Sequence, residues 1–276
     1  MYNKIAVAVA FSPRCEAMVF EAARLRKVFE SELLLIHVGR HNERDEKYLH
    51  EVMGKAGLDE NNCELIWKEG VTTTTILSVC ISENVDLLVA GALTKENLVR
   101  HYIGSIARKI LRRANCSVLM LTEPSVKPKP FSKIVIQAGA GPAPRKALMD
   151  GCELAKVENS GIVHIVREIS LYSLSMVVAG EGSENEYGET RKHIVHQEIQ
   201  EVHRKLERID TEGLRINIKV TAGKPGHELA NFVRRSHADL LVMQGMDREM
   251  GLWDRIFRRD LEHIMSNLPS NLLIVH

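Results

Sequence analysis

Short hydrophobic runs alternate along this chain with longer segments in which apolar residues recur at helical spacing. In the first half the runs predict strands at 4–10, 33–38, 63–68, 85–90 and 117–122. The amphipathic segments predict helices at 13–30, 43–56, 72–83 and 104–114. An unbroken apolar run such as DLLVA at 86–90 is typical of a strand that is covered on both faces. The alternation therefore predicts an α/β fold, in which crossover helices join the strands of a parallel sheet.

The pattern of the first half returns in the second half. KIAVAVAFSPR at 4–14 is followed much later by KIVIQAGAGPAPR at 133–145, and DLLVAG at 86–91 by DLLVMQG at 239–245. Gly70 precedes Asp86 by sixteen residues, and Gly223 precedes Asp239 by the same number. Landmarks that recur in one order indicate a tandem repeat.

A third pair of strand-like runs belongs to the same repeat. LLLIHV at 33–38 returns as GIVHIV at 161–166. This alignment places His37 and His164 at matching strand positions. We expect both imidazoles to satisfy hydrogen bonds in the core rather than to catalyse a reaction.

The length and the linker predict two domains. The chain has 276 residues, more than the roughly 100 to 200 of a typical single domain. TEPSVKPKP at 122–130 contains three prolines and is typical of a stiff linker. We therefore expect domains at 1–126 and 127–276. The second is less regular, because the polar stretch GEGSENEYGE at 180–189 precedes a long helix-like run to about Ile209.

Composition argues against several classes of protein. The net charge is +1, which does not favour a polyanion-binding surface, and the basic residues at 108–113 lack interleaved aromatics, so nucleic acid is not an expected partner. The five cysteines form no C-x-x-C pair, which favours reduced thiols in the cytoplasm. No signal-peptide pattern and no apolar run near ~20 residues is found, so no membrane partner is expected.

No motif for catalysis or metal binding emerges from the residue types. His193, His196 and His203 lie on one predicted helix, but a metal would need a further ligand beside them, so a solvated helix face is expected. No nucleophile and base pair is recognisable either. The sequence therefore predicts a protein that is not an enzyme and holds no metal. The alternative is a flavodoxin-like electron carrier or a small-molecule enzyme.

Gly91 ends one predicted strand, and the pair Gly104-Ser105 opens the next predicted helix. Ligands of open α/β sheets bind beyond the carboxyl ends of the strands, and the amides at a helix start attract anions. A phosphate site is therefore one interpretation of this stretch. The other is that Ser105 merely caps the helix. A Walker-type loop is excluded because G-x-x-x-x-G-K-[ST] is absent.

The spacing of these residues resembles a signature of the universal stress protein family. Gly91, Thr94 and Gly104-Ser105 follow the spacing of that family's G-x-x-G-x(9)-G-[ST] motif. RKILRRANCSVLML at 108–121 is similar to the family's last helix and strand, and VAVAFS at 7–12 to its first strand and turn. GKPGHELANFVRRSHADLLVM at 223–243 resembles a central part of the same domain. The chain thus resembles a tandem universal stress protein.

The resemblance implies both a fold and a role. Each half should be a doubly wound, five-stranded parallel sheet of the Rossmann-like, adenine-nucleotide alpha-hydrolase-like kind. The last strands, SVLMLT and NLLIVH, should pair so that the chain forms an intramolecular pseudo-dimer, with a homodimer as a further alternative. The implied role is that of a cytoplasmic, non-enzymatic stress-response protein.

By the same resemblance, ATP or another adenine nucleotide would bind in the first half. Eight candidate positions follow, with the nucleoside beside Ala8 and Ala10, the base near Val38, and the phosphates at Gly91, Thr94, Gly104, Ser105 and Ile106. Two of them depart from the family pattern. Thr94 replaces a glycine, and Ala10 replaces an aspartate that would bond the nucleoside. Loss of a charged hydrogen bond costs about 1.5 to 3 kcal/mol, so we expect weakened binding.

The second half departs further from the signature. Either Gln244 or Gly245 takes the place of the first glycine, and the sequence leaves both registers open. The Gly-Ser position falls in FRR at 257–259, where Arg258 and Arg259 could pair with a phosphate but are more typical of a solvated face. AGAGP at 138–142 lacks the spacing of a dinucleotide motif. We therefore expect this half to be degenerate for ATP.

Overall fold

The computed structural model describes residues 1–94, 101–139, 146–170, 184–224, 226–245 and 261–276. The chain forms two compact units. Unit 1 comprises 1–130 together with 271–276, and unit 2 comprises 131–270. The domain boundary near residue 127 stays a prediction. Among the described helices, none is long and apolar enough to cross a membrane.

Five parallel strands form the sheet of unit 1. They are β1 (Lys4–Val9), β2 (Glu32–Val38), β3 (Glu64–Lys68), β4 (Leu87–Gly91) and, after a short hairpin of β5 (Leu93–Thr94) and β6 (His101–Tyr102), β7 (Ser117–Leu121). Their order in the sheet is β3-β2-β1-β4-β7. The chain winds outward from β1 in both directions, so the strand order reverses between β1 and β4. Such a reversal creates a crevice at the carboxyl ends of the two strands.

Four helices cover this sheet: α1 (Cys15–Phe29), α2 (Glu43–Lys55), α3 (Thr72–Ser82) and α4 (Ser105–Arg113). α1 contacts α2, and α3 contacts α4. The start of α2 shows why the sequence folds this way locally. The Asn42 side chain accepts a hydrogen bond from the Arg44 amide, and the acidic residues in the first turn interact favourably with the helix dipole. The strands and helices predicted for the first half are confirmed, with bounds shifted by a few residues.

The hairpin was not predicted. No strand was expected between Gly91 and Gly104, but β5 pairs antiparallel with β6, with Leu93 opposite Tyr102 and Thr94 opposite His101. Two-residue strands are too short to show an alternating pattern, so periodicity cannot reveal them. The residues between them, 95–100, lie outside the described part of the chain.

Unit 2 repeats the arrangement. Its parallel strands are β8 (Lys133–Gln137), β9 (Ile162–Ser170), β10 (Ile216–Gly223) and β11 (Leu240–Gln244), in the order β10-β9-β8-β11. Its helices are α5 (Lys146–Val157), α6 (Glu184–Leu206) and α7 (His227–Ser236), and residues 261–266 are also helical. The long helix expected to reach about Ile209 ends at Leu206.

The final strand, β12 (Asn271–Val275), is counted with unit 1 and runs antiparallel to β7. Leu272 lies opposite Met120, and Ile274 lies opposite Val118. The Thr122 amide and hydroxyl both donate to the Asn271 side-chain oxygen, over 2.9 and 3.1 Å. The pairing of SVLMLT with NLLIVH that the resemblance implied is therefore present, and the predicted α/β fold class is confirmed.

The two aspartates of the repeat have the same structural role. The Asp86 carboxylate accepts the Lys4 amide at 3.0 Å, and the Asp239 carboxylate accepts the Lys133 amide at 2.8 Å. The amide of each aspartate in turn donates to the carbonyl of the same lysine. Each aspartate thus fixes the start of the first strand of its unit against the fourth. This shared role confirms the repeat at the level of individual bonds.

The histidines do not match in the same way. His37 lies opposite Val9, five residues after Lys4, whereas His164 lies opposite Val135, only two residues after Lys133. The expectation of matching positions is therefore wrong. The His37 ring bonds the Val9 carbonyl at 3.1 Å, as expected, but buried Nδ1 of His164 has no partner among the described residues. Burial lowers the pKa of His164, which favours a neutral ring.

Candidate functional site

A cavity of about 340 Å³ opens in unit 1 at the carboxyl ends of β1 and β4. This is the point at which the strand order reverses, the usual place for a ligand in an open α/β sheet. The starts of three helices also line it, namely Arg14, which is the N-cap of α1, Thr72 of α3 and Ser105 of α4. Its volume lies within the range of small-molecule sites.

The start of α4 forms one side of the cavity. Gly104 is the N-cap, with extended backbone angles of −66° and 170°, and no side chain caps the helix. Ser105 is already the first helical residue, so the interpretation of Ser105 as the N-cap is wrong. Gly104, Ser105, Ile106 and Ala107 all line the cavity. Amides in a first helical turn lack partners within the helix, and here they adjoin a space that can hold an anion.

Apolar side chains form most of the remaining wall. The strands contribute alanines and a valine, and the helices contribute larger groups: Ala8, Val9, Ala90, Ala92, Met18, Ile76 and Ile110. A Cβ atom at Gly91 would meet Met18 Sδ at 3.5 Å, an ordinary contact. The protein itself therefore does not require glycine at this position. The missing side chain instead leaves room within the cavity.

Arg14 also lines the cavity, and the sequence did not single it out. Its Nη1 donates to the Ala92 carbonyl at 2.8 Å and to the Thr122 carbonyl at 3.1 Å. The side chain is half-buried. Its position in the sequence could have indicated this role. Arg14 lies five residues after the end of β1, at the start of α1, where an arginine side chain can turn toward the carboxyl edge of the sheet.

An aromatic cluster lies at the carboxyl ends of β1, β2 and β3. The ring centroids of Phe11 and His37 are 4.6 Å apart, and those of His37 and Trp67 are 4.4 Å apart. Trp67 Nε1 donates to the Gly39 carbonyl at 3.0 Å, and the Gly39 amide donates to the Lys68 carbonyl at 3.0 Å. The backbone at Gly39, just after β2, is therefore hydrogen-bonded to two residues of β3.

The cavity brings together six of the eight candidate site residues, namely Ala8, Ala10, Gly91, Gly104, Ser105 and Ile106. Val38, where the resemblance placed the base, is not among the lining residues, although it ends β2 nearby. Thr94 lies in β5, and only its backbone is described. The assignment of these residues to a nucleotide stays a prediction.

Strand registers identify the corresponding positions in unit 2. Ile5 lies opposite Leu87 in unit 1, and Ile134 lies opposite Leu240 in unit 2. The fifth residues of these four strands therefore correspond, so Gln137 stands where unit 1 has Ala8, and Gln244 stands where it has Gly91. The structure thus selects Gln244 over Gly245 as the counterpart of the signature glycine.

Both glutamines form internal hydrogen bonds. Gln244 Oε1 accepts the Ala147 amide at 3.0 Å, near the start of α5. Gln137 is buried, and its amide nitrogen donates to Glu168 at 3.2 Å. Glu168, which corresponds to Val38, also accepts the amides of Gly226 and Leu229 at the start of α7. Burial raises the pKa of this carboxyl.

A buried lysine completes this region of unit 2. Lys205 is 2% exposed, and its ammonium donates to the Gly139 carbonyl at 2.7 Å. Gly139 follows β8 as Ala10 follows β1. Three other sequence features lie wholly or partly outside the described residues: Arg258, Arg259 and the end of AGAGP.

No group of three or more His, Cys, Asp or Glu side chains placed to hold a metal occurs in the part of the chain that the structure describes. His193 and His196 instead bond Gln197 and Gln200, one helical turn further along α6, both at 2.9 Å. His203 lies on the same helix. The five cysteines are buried and free.

The fold and the position of the cavity place the chain in the class of doubly wound, Rossmann-like α/β proteins with the adenine-nucleotide alpha-hydrolase fold. Residues 40–122 match the Universal stress protein family. A functionally unknown protein from Pseudomonas aeruginosa PAO1 is similar over 99% of this chain and 92% of its own, with 15% identity and a TM-score of 0.70.

A universal stress protein from Archaeoglobus fulgidus DSM 4304 covers 99% of this chain and 98% of its own, with 13% identity and a TM-score of 0.68. The family match in part of the first half agrees with the resemblance seen in the sequence, and the shared fold extends over nearly the whole chain. A search of curated proteins found no significant match.

Proposed function

We propose that this protein is a cytoplasmic, non-enzymatic stress-response protein whose unit 1 binds an adenine nucleotide. The cavity at the strand reversal carries the proposal, because it joins the uncapped start of α4 to a space bounded by small residues. The phosphates would bind the amides at Gly104 and Ser105, where the helix dipole favours negative charge. The nucleoside would extend past Ala8 and Ala10.

The expected affinity is low. Among the described residues that line the cavity there is no aspartate or glutamate, and Ala10 stands where the resemblance implies a carboxylate. A charged hydrogen bond is worth about 1.5 to 3 kcal/mol, which corresponds to roughly a tenfold to hundredfold change in affinity. A ligand held mainly through its phosphates is therefore expected to dissociate during purification.

The lining also supports a role without catalysis. It includes the hydroxyls of Ser12, Thr72 and Ser105, but within the described part of the chain no histidine, cysteine, lysine or carboxylate that could activate them lines the cavity. The flavodoxin-like alternative would require a bound flavin. A yellow purified protein would favour that alternative, and a colourless one favours the nucleotide-binding proposal.

The two domains would form an intramolecular pseudo-dimer, with a homodimer as the alternative. The last strand of the second half, β12, pairs with β7 within unit 1. Light scattering distinguishes the two by mass. A chain whose two domains pair only with each other should have the mass of a monomer, 31.1 kDa, whereas a homodimer should have twice that mass.

Calorimetric titration with Mg-ATP tests the proposal. Gly104→Val should abolish binding, because a branched side chain would enter the cavity beside the phosphate amides. The extended backbone at Gly104 accommodates valine, so the fold should persist. Gly54→Val is the matched control, since Gly54 is exposed on α2 with open space around its Cβ position. Absence of binding by the wild type, or binding that survives Gly104→Val, would contradict the proposal.

A further inference from the structure

Two buried cysteines of unit 1 lie together at the amino edge of the sheet. Cys80 belongs to the last turn of α3, and Cys116 directly precedes β7. The Cys80 carbonyl accepts the Val85 amide at 2.9 Å. The amide that follows Cys116, that of Ser117, donates to the Asp86 carbonyl at 3.0 Å. Both cysteines are therefore bonded, directly or through the next residue, to the two residues that lead into β4.

The side chains of the two cysteines contact each other. The Cys80 thiol donates a hydrogen bond to the sulfur of Cys116. This bond lowers the pKa of Cys116, and the amides of Cys116 and Leu88 act in the same direction, against burial and the Asp86 carboxylate. The same bond and burial raise the pKa of Cys80. Cys116 is therefore the thiol that ionises first, and a thiolate is the nucleophilic form of cysteine.

The other three cysteines have a different environment. Burial raises the pKa of Cys15, that of Cys63 to about 12 and that of Cys152 to about 11. In each case burial, rather than a neighbouring thiol, is the main cause. A thiol that stays protonated in apolar surroundings reacts slowly. These three cysteines therefore serve as internal references for the pair.

The pair lies just below the protein surface. Cys80 is 5% exposed and Cys116 is 7% exposed. The residues beside them in the chain, Ile81 after the first and Asn115 before the second, are both exposed. A small uncharged oxidant such as hydrogen peroxide therefore has only a short path to the two sulfur atoms.

We propose that Cys116 and Cys80 form a peroxide-reactive dithiol, in which oxidation closes a disulfide between α3 and the segment that enters β7. The Cys116 thiolate attacks one oxygen of hydrogen peroxide and becomes a sulfenic acid, and the departing hydroxide takes up a proton to give water. The Cys80 sulfur loses its proton, attacks the sulfenic sulfur and releases the second water. Two thiols are thus oxidised to one disulfide while one peroxide is reduced to two water molecules.

The disulfide would act on one wall of the cavity. Ile76 lies one turn before Cys80 on α3 and lines the cavity together with Ile110 of α4, which packs against α3. A covalent link at the end of α3 therefore restrains this wall. The reaction itself needs no nucleotide, so it stands or falls independently of the proposed function.

Peptide mapping of the full chain tests the proposal. Reduced wild-type protein is treated with hydrogen peroxide, the remaining thiols are alkylated during acid denaturation, and the peptides are analysed by mass spectrometry without reduction. The peptide of Cys80 should be linked to that of Cys116, the other three of the five cysteines should be alkylated, and dithiothreitol should restore all five thiols. Five free thiols after peroxide, or a disulfide that joins any other cysteines, would overturn the proposal.

Three alanine variants assign the roles within the pair. Cys80→Ala should accumulate the sulfenic acid of Cys116, which dimedone traps, whereas Cys116→Ala should lose free thiol roughly tenfold more slowly than the wild type. Cys63→Ala is the matched control, because Cys63 lies in the same unit and is 4% exposed, and it should form the disulfide as the wild type does.

Melting curves show which variants fold. A folded Cys116→Ala variant that is oxidised as fast as the wild type would overturn the role of Cys116. Mapping of the wild type needs no substitution, so it decides the proposal even if a variant fails to fold.

Discussion

Corresponding positions in the two units hold residues of very different size. Ala8 and Gly91 line an open cavity in unit 1, whereas Gln137 and Gln244 occupy the corresponding strand ends in unit 2 and bond to neighbouring groups. The backbone arrangement is retained in both, as the bonds of Asp86 and Asp239 show. The comparison teaches that the side chains at these strand ends can differ greatly in size while the bonds that fix the sheet are unchanged.

The largest expected effect comes from giving unit 1 the glutamines of unit 2. Ala8→Gln with Gly91→Gln should abolish nucleotide binding, because two long side chains would enter a cavity of about 340 Å³. The fold should persist, since unit 2 accommodates the same residues at the same strand positions. Calorimetry with Mg-ATP measures the loss, and circular dichroism checks the fold. A folded double variant that still binds ATP would show that the nucleotide lies elsewhere.

The opposite change should strengthen the site. Ala10→Asp with Thr94→Gly restores both family-like positions, and we expect ATP to bind roughly tenfold more tightly because a charged hydrogen bond is regained. The single change Ala10→Asn serves as a control that adds a polar group without charge. Unchanged or weaker binding in the double variant would show that the ligand is held by another arrangement.

A smaller effect is expected in unit 2. Gln244→Ala removes the acceptor of the Ala147 amide, and Ala147 is buried. Loss of such a bond should lower the free energy of unfolding by about 1 kcal/mol or somewhat more. Chemical denaturation followed by circular dichroism measures the change. A variant as stable as the wild type would show that water replaces the glutamine at no cost.

The smallest expected effect concerns the pH dependence of stability. Burial raises the pKa of Glu168 in the folded state. A carboxyl with a raised folded pKa stabilises the protein at pH values below its unfolded pKa, and this contribution is lost as the pH rises through the folded pKa. Glu168→Gln, which cannot ionise, should therefore gain stability relative to the wild type as the pH rises above the unfolded pKa of about 4 and through the raised folded pKa. Parallel pH profiles in both variants would contradict this.

The fold could be predicted from the sequence because its signals are local. Apolar runs and amphipathic segments appear within short windows, and three of the strand-like runs recur in the second half. The expected and observed strands of the first half therefore agree closely. The register between strands is different, because it depends on contacts between distant segments. For this reason the sequence left Gln244 and Gly245 open and wrongly matched His37 with His164.

The candidate site was predicted only in part. The signature spacing led to Gly91, Gly104 and Ser105, which line one cavity. Arg14 was missed because its acceptors lie 78 and 108 residues away along the chain, and no periodic pattern encodes such contacts. The hydrogen bonds of Gln137 and Gln244 could not be predicted for the same reason, because their partners are also distant in the sequence.

The central proposal is that unit 1 holds the nucleotide and that Gln137 and Gln244 leave unit 2 without a corresponding site. Photoaffinity labelling with an azido derivative of ATP, followed by mapping of the labelled peptides, tests this claim most directly. The label should appear in peptides from residues 1–130, it should be displaced by excess ATP, and it should disappear in the Ala8→Gln, Gly91→Gln variant. Displaceable labelling confined to residues 131–270 would contradict the account.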